Sequence, residues 1–167
     1  MTGIESLSWP VGACQTQRVF IQLQSRTFQT LDGDPWRGLL ARNRCVVPAT
    51  SFCEFAGTRP SKTPVWFALS EDRPVFAFTG LWTSWSGGHR GFRPAVVEGG
   101  HQLFGFLTTD ANSIVAAIHP KAMPVILALQ EEVDQWLSAK PADALKLQRP
   151  LPDHALRIVA SGCRADG

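Results

Sequence analysis

Two side chains in this chain sit where chemistry would need them. Glu54 lies in SFCEF (51–55), where strand alternation puts it on the face of Phe52, with Cys53 and Phe55 on the other. A carboxylate on an apolar face loses hydration, so its pKa rises and it can trade protons near neutral pH. The commoner arrangement is a solvated acid on a sheet edge, since glutamate is rarely buried unpaired. His119 interrupts the apolar run IHPKAMPVIL (118–127) at the C-terminal end of a predicted helix. A histidine there either caps the helix or moves protons, and the stretch alone leaves both open.

A second group suits polyanion binding. Arg37, Arg42 and Arg44, with Trp36 beside them, could hold phosphates and stack a base; Lys121 follows His119 by two residues. The same residues also fit a solvated helix face. Trp82, Trp85 and Phe92 allow the same two readings, while His89, His101 and His154 fall in loops or at element edges. The cysteines Cys14, Cys45, Cys53 and Cys163 form no CxxC pair and have no histidine at ligand spacing, so no metal and no cofactor is expected. Cys53 reads as a small core residue. No Ser/His/Asp or Cys/His order can be read from the chain.

These residues must be positioned by the elements around them. LDGDPWRGLLA suits a short helix, with Pro35 in its first turn and Trp36, Leu39 and Leu40 on one face. RCVVP (44–48), SFCEF (51–55), PVWFAL (64–69), VFAFTGLW (75–82) and HQLFGFLTT (101–109) are β-branched or aromatic runs bounded by turn formers, hence strands. SEDRP (70–74) reads as a hairpin connection, and residues 84–100 as a long glycine-rich loop. Asp110 is the expected cap of ANSIVAAI, MPVIL a returning strand, and QEEVDQWLSA (130–139) an amphipathic helix with Val133, Trp136 and Leu137 on one face. ADALKLQ adds a turn, and LRIVA (156–160) a last strand. The sum is an α+β domain with a mostly antiparallel sheet.

A chain of 167 residues supports one substantial core, and 44% hydrophobic with 18% charged residues is ordinary for a folded domain. The net charge of +2 announces no polyanionic partner by itself, so any such case rests on local clustering. The start MTGIESLSWPVGAC has neither the basic nor the apolar region of a signal peptide, and no long apolar run follows. A cytoplasmic protein with reduced thiols and no membrane association is expected.

RNRCVVPATSFCEF with KTPVWFAL, VFAFTGLWTSW, and GFLTTDANSIVAAIHPKAMPVIL together resemble the SOS-response-associated peptidase (SRAP) family of abasic-site processing proteins. Their counterparts are R-C-L-V-P-x-x-x-F-x-E, F-A-G-L-W and T-T-x-A-N-x-x-x-x-x-I-H-x-R-M-P-V-I-L, and the resemblance covers residues 31 to 160. It implies a barrel-like antiparallel sheet with short flanking helices. It also implies a protein, expected as a monomer, that binds single-stranded DNA and links itself covalently to abasic sites during the DNA damage response. In the family, the α-amine and thiol of a cysteine at position 2 close a thiazolidine ring on the sugar aldehyde. By this resemblance Glu54 is the acid near the amine and His119 the histidine that assists proton transfer, while Trp36, Arg37, Arg44 and Lys121 are the expected DNA contacts.

The N-terminal part departs from the pattern. Thr2 stands where the family has cysteine, QSRTFQT where an asparagine–arginine motif precedes residue 31, and SLSWPVGAC where W-G-L/I-x-P is found. PKA replaces a two-residue spacer between His119 and Met123. The expected organisation is an atypical or truncated segment 1–30, an SRAP-like domain 31–160 and a tail 161–167. The alternative function is a noncovalent single-strand binder, or an inactive SRAP-like domain.

Overall fold

The computed structural model describes residues 20–22, 35–57, 62–86, 89–90, 96–97 and 99–162. The side chains of Trp36, Trp85, His89 and His101, and the whole of Thr2, Cys14, QSRTFQT, Phe92 and Cys163, lie outside that description.

In chain order the elements are β1 (Phe20–Gln22), α1 (Pro35–Arg42), β2 (Arg44–Ala49), β3 (Phe52–Ala56), β4 (Thr63–Ala68), β5 (Phe76–Ser86), β6 (His89–Arg90), β7 (Val96–Val97), β8 (Gly100–Phe106), β9 (Thr108–Thr109), α2 (Ser113–Ala116), β10 (Met123–Pro124), β11 (Ile126–Leu127), α3 (Gln130–Ser138), α4 (Pro141–Ala144) and β12 (Arg157–Ser161). Short 3-10 turns cover Leu145–Leu147 and Asp153–Ala155.

The long strand β5 organises the main sheet, pairing antiparallel with β2, β8 and β11; β1 adds to β8 in parallel. A second sheet runs β12-β4-β3, all antiparallel. The chain is thus α+β with antiparallel sheets and few short helices, and among the described residues the strands close no barrel.

Alternation along β5 explains the layers. Ala77 and Leu81 turn to one side and pack with Leu40, Val125, Leu127, Val133 and Trp136, the layer of α1 and α3. Phe76 and Phe78 belong to the opposite cluster with Phe52, Val65, Phe67, Val115 and Ile126, the layer of the second sheet and α2. Phe52 stacks on Phe67 at 5.1 Å and meets Phe78 edge-on at 5.9 Å, so one ring ties the two sheets together. Gly80 lets β2 and β8 lie close on either side. A Cβ there would meet Cys45 Sγ at 3.0 Å and the Gly105 carbonyl at 3.2 Å.

Several sequence expectations need correction. Residues 84–100 are not simply a loop: β5 runs on to Ser86, paired with Gly100, and β6 and β7 pair beyond it. MPVIL is two short strands. Val125 between them receives the Thr79 N–H on its carbonyl (3.2 Å) and donates to the Leu107 carbonyl (3.0 Å), stitching β10 and β11 into different pairings. Leu107 divides 101–109 in the same way. Leu137 is exposed (45%), whereas Val133 and Trp136 on the same helix are buried. No described helix is long and apolar enough to cross a membrane.

Candidate functional site

Glu54 is delivered by β3. Its register partner on β4 is Val65, and Phe52 pairs with Phe67, so the carboxylate shares a strand face with three buried apolar side chains. The face is the one alternation predicts; the burial is what sequence left open. The Glu54 side chain keeps 21% of its surface exposed. Burial raises its pKa above the ordinary carboxylate value, and the charge of the neighbouring His119 partly offsets that rise.

His119 is delivered by α2 and the turn after it. The helix is capped by Asn112, not by Asp110. Asn112 Oδ1 accepts the Val115 N–H at 3.0 Å, and Asn112 Nδ2 donates to the Leu151 carbonyl at 2.9 Å. Asp110 had the right residue type, but the first hydrogen-bonded turn starts too far along for it to cap. Asp153 clamps the same end from a distant segment, accepting the Ser113 N–H at 2.9 Å and the Ser113 hydroxyl at 2.5 Å. At the other end the Ile118 and His119 N–H groups both donate to the Val115 carbonyl. Val115 is fully buried, so the turn carrying His119 hangs from the core.

The two elements converge. His119 Nδ1 lies 3.8 Å from Glu54 Oε2, and the imidazole is 29% exposed. The same nitrogen lies 3.1 Å from the Ala122 carbonyl oxygen. A partly exposed carboxyl with a raised pKa beside a partly exposed imidazole is an arrangement suited to proton exchange.

The basic residues divide. Arg37 on α1 and Lys121 after His119 have exposed side chains. Arg44 is differently engaged: Nη1 donates to the Leu40 carbonyl (2.6 Å) and Nη2 to those of Ala139 (2.6 Å) and Leu137 (3.2 Å). Its guanidinium sits 5.8 Å from the centre of the Trp136 ring, whose indole N–H donates to the Cys45 carbonyl at 2.8 Å. Arg44 therefore ties β2 to the ends of α1 and α3. Trp36 belongs to α1, with its side chain outside the described set.

The two described thiols, Cys45 and Cys53, are shifted away from the reactive thiolate form. Burial pushes Cys45 up to about 11 and raises Cys53 as well, and Cys53 turns away from Glu54 on the other face of β3. Among the described residues no three His, Cys, Asp or Glu side chains gather as a metal site would require.

The sequence profile of the SOS response associated peptidase (SRAP) family matches residues 10–161. The chain belongs to the SRAP family. It is 33% identical over 124 residues to the abasic site processing protein YoqW of Bacillus subtilis (strain 168), covering 72% of this chain and 50% of that one. To the abasic site processing protein YoaM of the same organism it is 34% identical over 106 residues, 63% of this chain and 42% of the relative. The chain thus spans about half the length of the curated relatives it matches. Among solved structures it resembles a protein from Bacteroides thetaiotaomicron, with TM-score 0.61 and 28% identity over 77% of this chain and 54% of the other. A protein from Bordetella bronchiseptica shares the fold, with TM-score 0.62 and 21% identity over 84% and 63% of the two chains. The fold of this SRAP chain is therefore an established one.

Proposed function

We propose that this SRAP-family chain processes abasic sites in single-stranded DNA, capturing the sugar aldehyde on an amine while Glu54 and His119 move the protons. The observation that carries the reading is the Glu54–His119 pair, 3.8 Å apart in a chain related to abasic site processing proteins.

The chemistry is balanced without a cofactor. A neutral amine attacks the aldehyde carbon, and a proton passes from nitrogen to the former carbonyl oxygen to give a carbinolamine. Protonation of that hydroxyl releases water as the C=N bond forms. Each step needs a group that both accepts and donates near neutral pH, which suits an imidazole backed by a carboxyl of raised pKa. An α-amine, with a pKa of about 7.7 to 8.0, is partly neutral under those conditions. A neighbouring thiol would close the imine to a thiazolidine, its proton moving to the nitrogen. A neighbouring hydroxyl would instead give an oxazolidine, which reopens more readily.

Exposed Arg37 and Lys121 are the cations we assign to DNA phosphates. Arg44, held by three carbonyls, serves by fixing β2 in place. The protein is read as a monomer acting in the cytoplasm, with residues 31–160 as the working domain. The test is a denaturing gel of the chain with a single-stranded abasic oligonucleotide, with and without borohydride to trap the imine. A covalent band supports the reading; its absence under both conditions rejects it, and retained affinity in that case would indicate the noncovalent binder instead.

A further inference from the structure

The contact at Nδ1 decides which nitrogen of His119 does the work. A carbonyl oxygen only accepts, so the 3.1 Å contact with Ala122 places the ring proton on Nδ1. Glu54 Oε2 approaches the same nitrogen at 3.8 Å, beyond hydrogen-bonding range, where its negative charge favours an N–H over a lone pair. A neutral imidazole carries one N–H, so the lone pair stays on Nε2.

The carbonyl is well fixed for this task. Ala122 precedes Met123, which is 1% exposed, accepts the Asn112 N–H on its sulfur at 3.3 Å and pairs with Thr109. At the other end of the turn the His119 N–H is held by Val115 at 2.7 Å. Both ends of 119–122 are therefore anchored in the core, and the turn carries one residue more than the spacer of the family motif.

We propose that the Ala122 carbonyl is the positioning group that locks His119 as the Nδ1–H tautomer, making Nε2 the atom that exchanges protons with substrate. Nε2 takes the proton released by the attacking nitrogen, becoming an imidazolium whose Nδ1–H stays on Ala122. It passes that proton to the former carbonyl oxygen to give the carbinolamine, then relays the second nitrogen proton to the hydroxyl, which leaves as water as the C=N bond forms. Glu54 faces the nitrogen that does not react, so its effect on the imidazole is electrostatic and passes through the ring. The identity of the substrate rests on the abasic-site reading; the tautomer does not.

Nitrogen NMR of the full chain labelled with 15N-histidine tests this in the free protein at alkaline pH, with His119→Asn assigning the signals by their loss. The expected pattern is a protonated Nδ1 and a lone-pair Nε2, retained in Glu54→Gln. A dominant Nε2–H form, or an averaged mixture, overturns the proposal. Collapse of the pattern in Glu54→Gln overturns it too, because the carboxylate rather than the carbonyl would then set the tautomer. Since no DNA is present, failure to crosslink abasic DNA would sink the proposed function and leave this result standing.

Discussion

Glu54 Oε2 and His119 Nδ1 stand 3.8 Å apart, one on a strand of the smaller sheet and the other on the turn that follows α2. The pairing puts an acid in apolar surroundings, an arrangement that costs stability while its charge is held there.

That cost has a sign. Burial raises the folded-state pKa of Glu54, so the folded chain binds this proton more tightly than the unfolded one. The group's contribution to stability is full below its unfolded pKa and is lost as pH rises through the folded pKa. Glu54→Gln removes that loss, so urea denaturation should find the variant more stable than the native chain at neutral and alkaline pH, with the gap shrinking in acid. Parallel stability curves for the two chains would contradict the burial of the charge.

Arg44 and Lys121 should separate structure from binding. Lysine cannot reproduce the fork that reaches the Leu40 and Ala139 carbonyls, so Arg44→Lys should destabilise by about 1–3 kcal/mol and lower Tm. Lys121→Ala should leave Tm unchanged and flatten the salt dependence of single-strand affinity by about one phosphate contact. Anisotropy titrations against salt, beside thermal melts of both variants, check the pair.

Gly80→Ala should cost about 1–3 kcal/mol, because the new methyl meets Cys45 Sγ at 3.0 Å and the Gly105 carbonyl at 3.2 Å. Shrinking the neighbour with Cys45→Ala relieves the sulfur contact and leaves the carbonyl one. A double-mutant cycle by chemical denaturation should therefore show partial recovery, and strict additivity would place the clash on the backbone alone.

The α2 clamp has its own pH signature. The Ser113 hydroxyl, followed by its backbone N–H, holds Asp153 below the usual carboxylate value, so its contribution is present above the unfolded pKa and fades as pH falls through the folded one. Ser113→Ala should raise the Asp153 pKa in a carboxyl NMR titration. Asn112→Ala should destabilise by about 1–3 kcal/mol through loss of the cap and of the bond to Leu151.

Much of this was legible in residue order. The runs around Phe52, Phe67 and Phe78 announced strands, and alternation placed Glu54 on the Phe52 face before any coordinates. What stayed hidden was non-local. The approach of Glu54 to His119 joins segments far apart in sequence, and the carbonyls that hold Arg44 come from two helix ends, so neither has a local pattern. The extension of β5 depends on its pairing with β8, which tertiary context supplies over a glycine-rich sequence. The choice of Asn112 over Asp110 turned on where the first helical turn closes, and a side-chain bond to Leu151 helps decide it.

The most direct measurement is the yield of covalent adduct on single-stranded abasic DNA, resolved on a denaturing gel after borohydride, for the native chain, Glu54→Gln and His119→Asn. The account predicts an adduct for the native chain and none with an intact oligonucleotide. It predicts rates for the two variants lower by on the order of 10²-fold, the usual worth of a positioned acid–base group. Equal rates in all three proteins, or no adduct from the native chain, would contradict it.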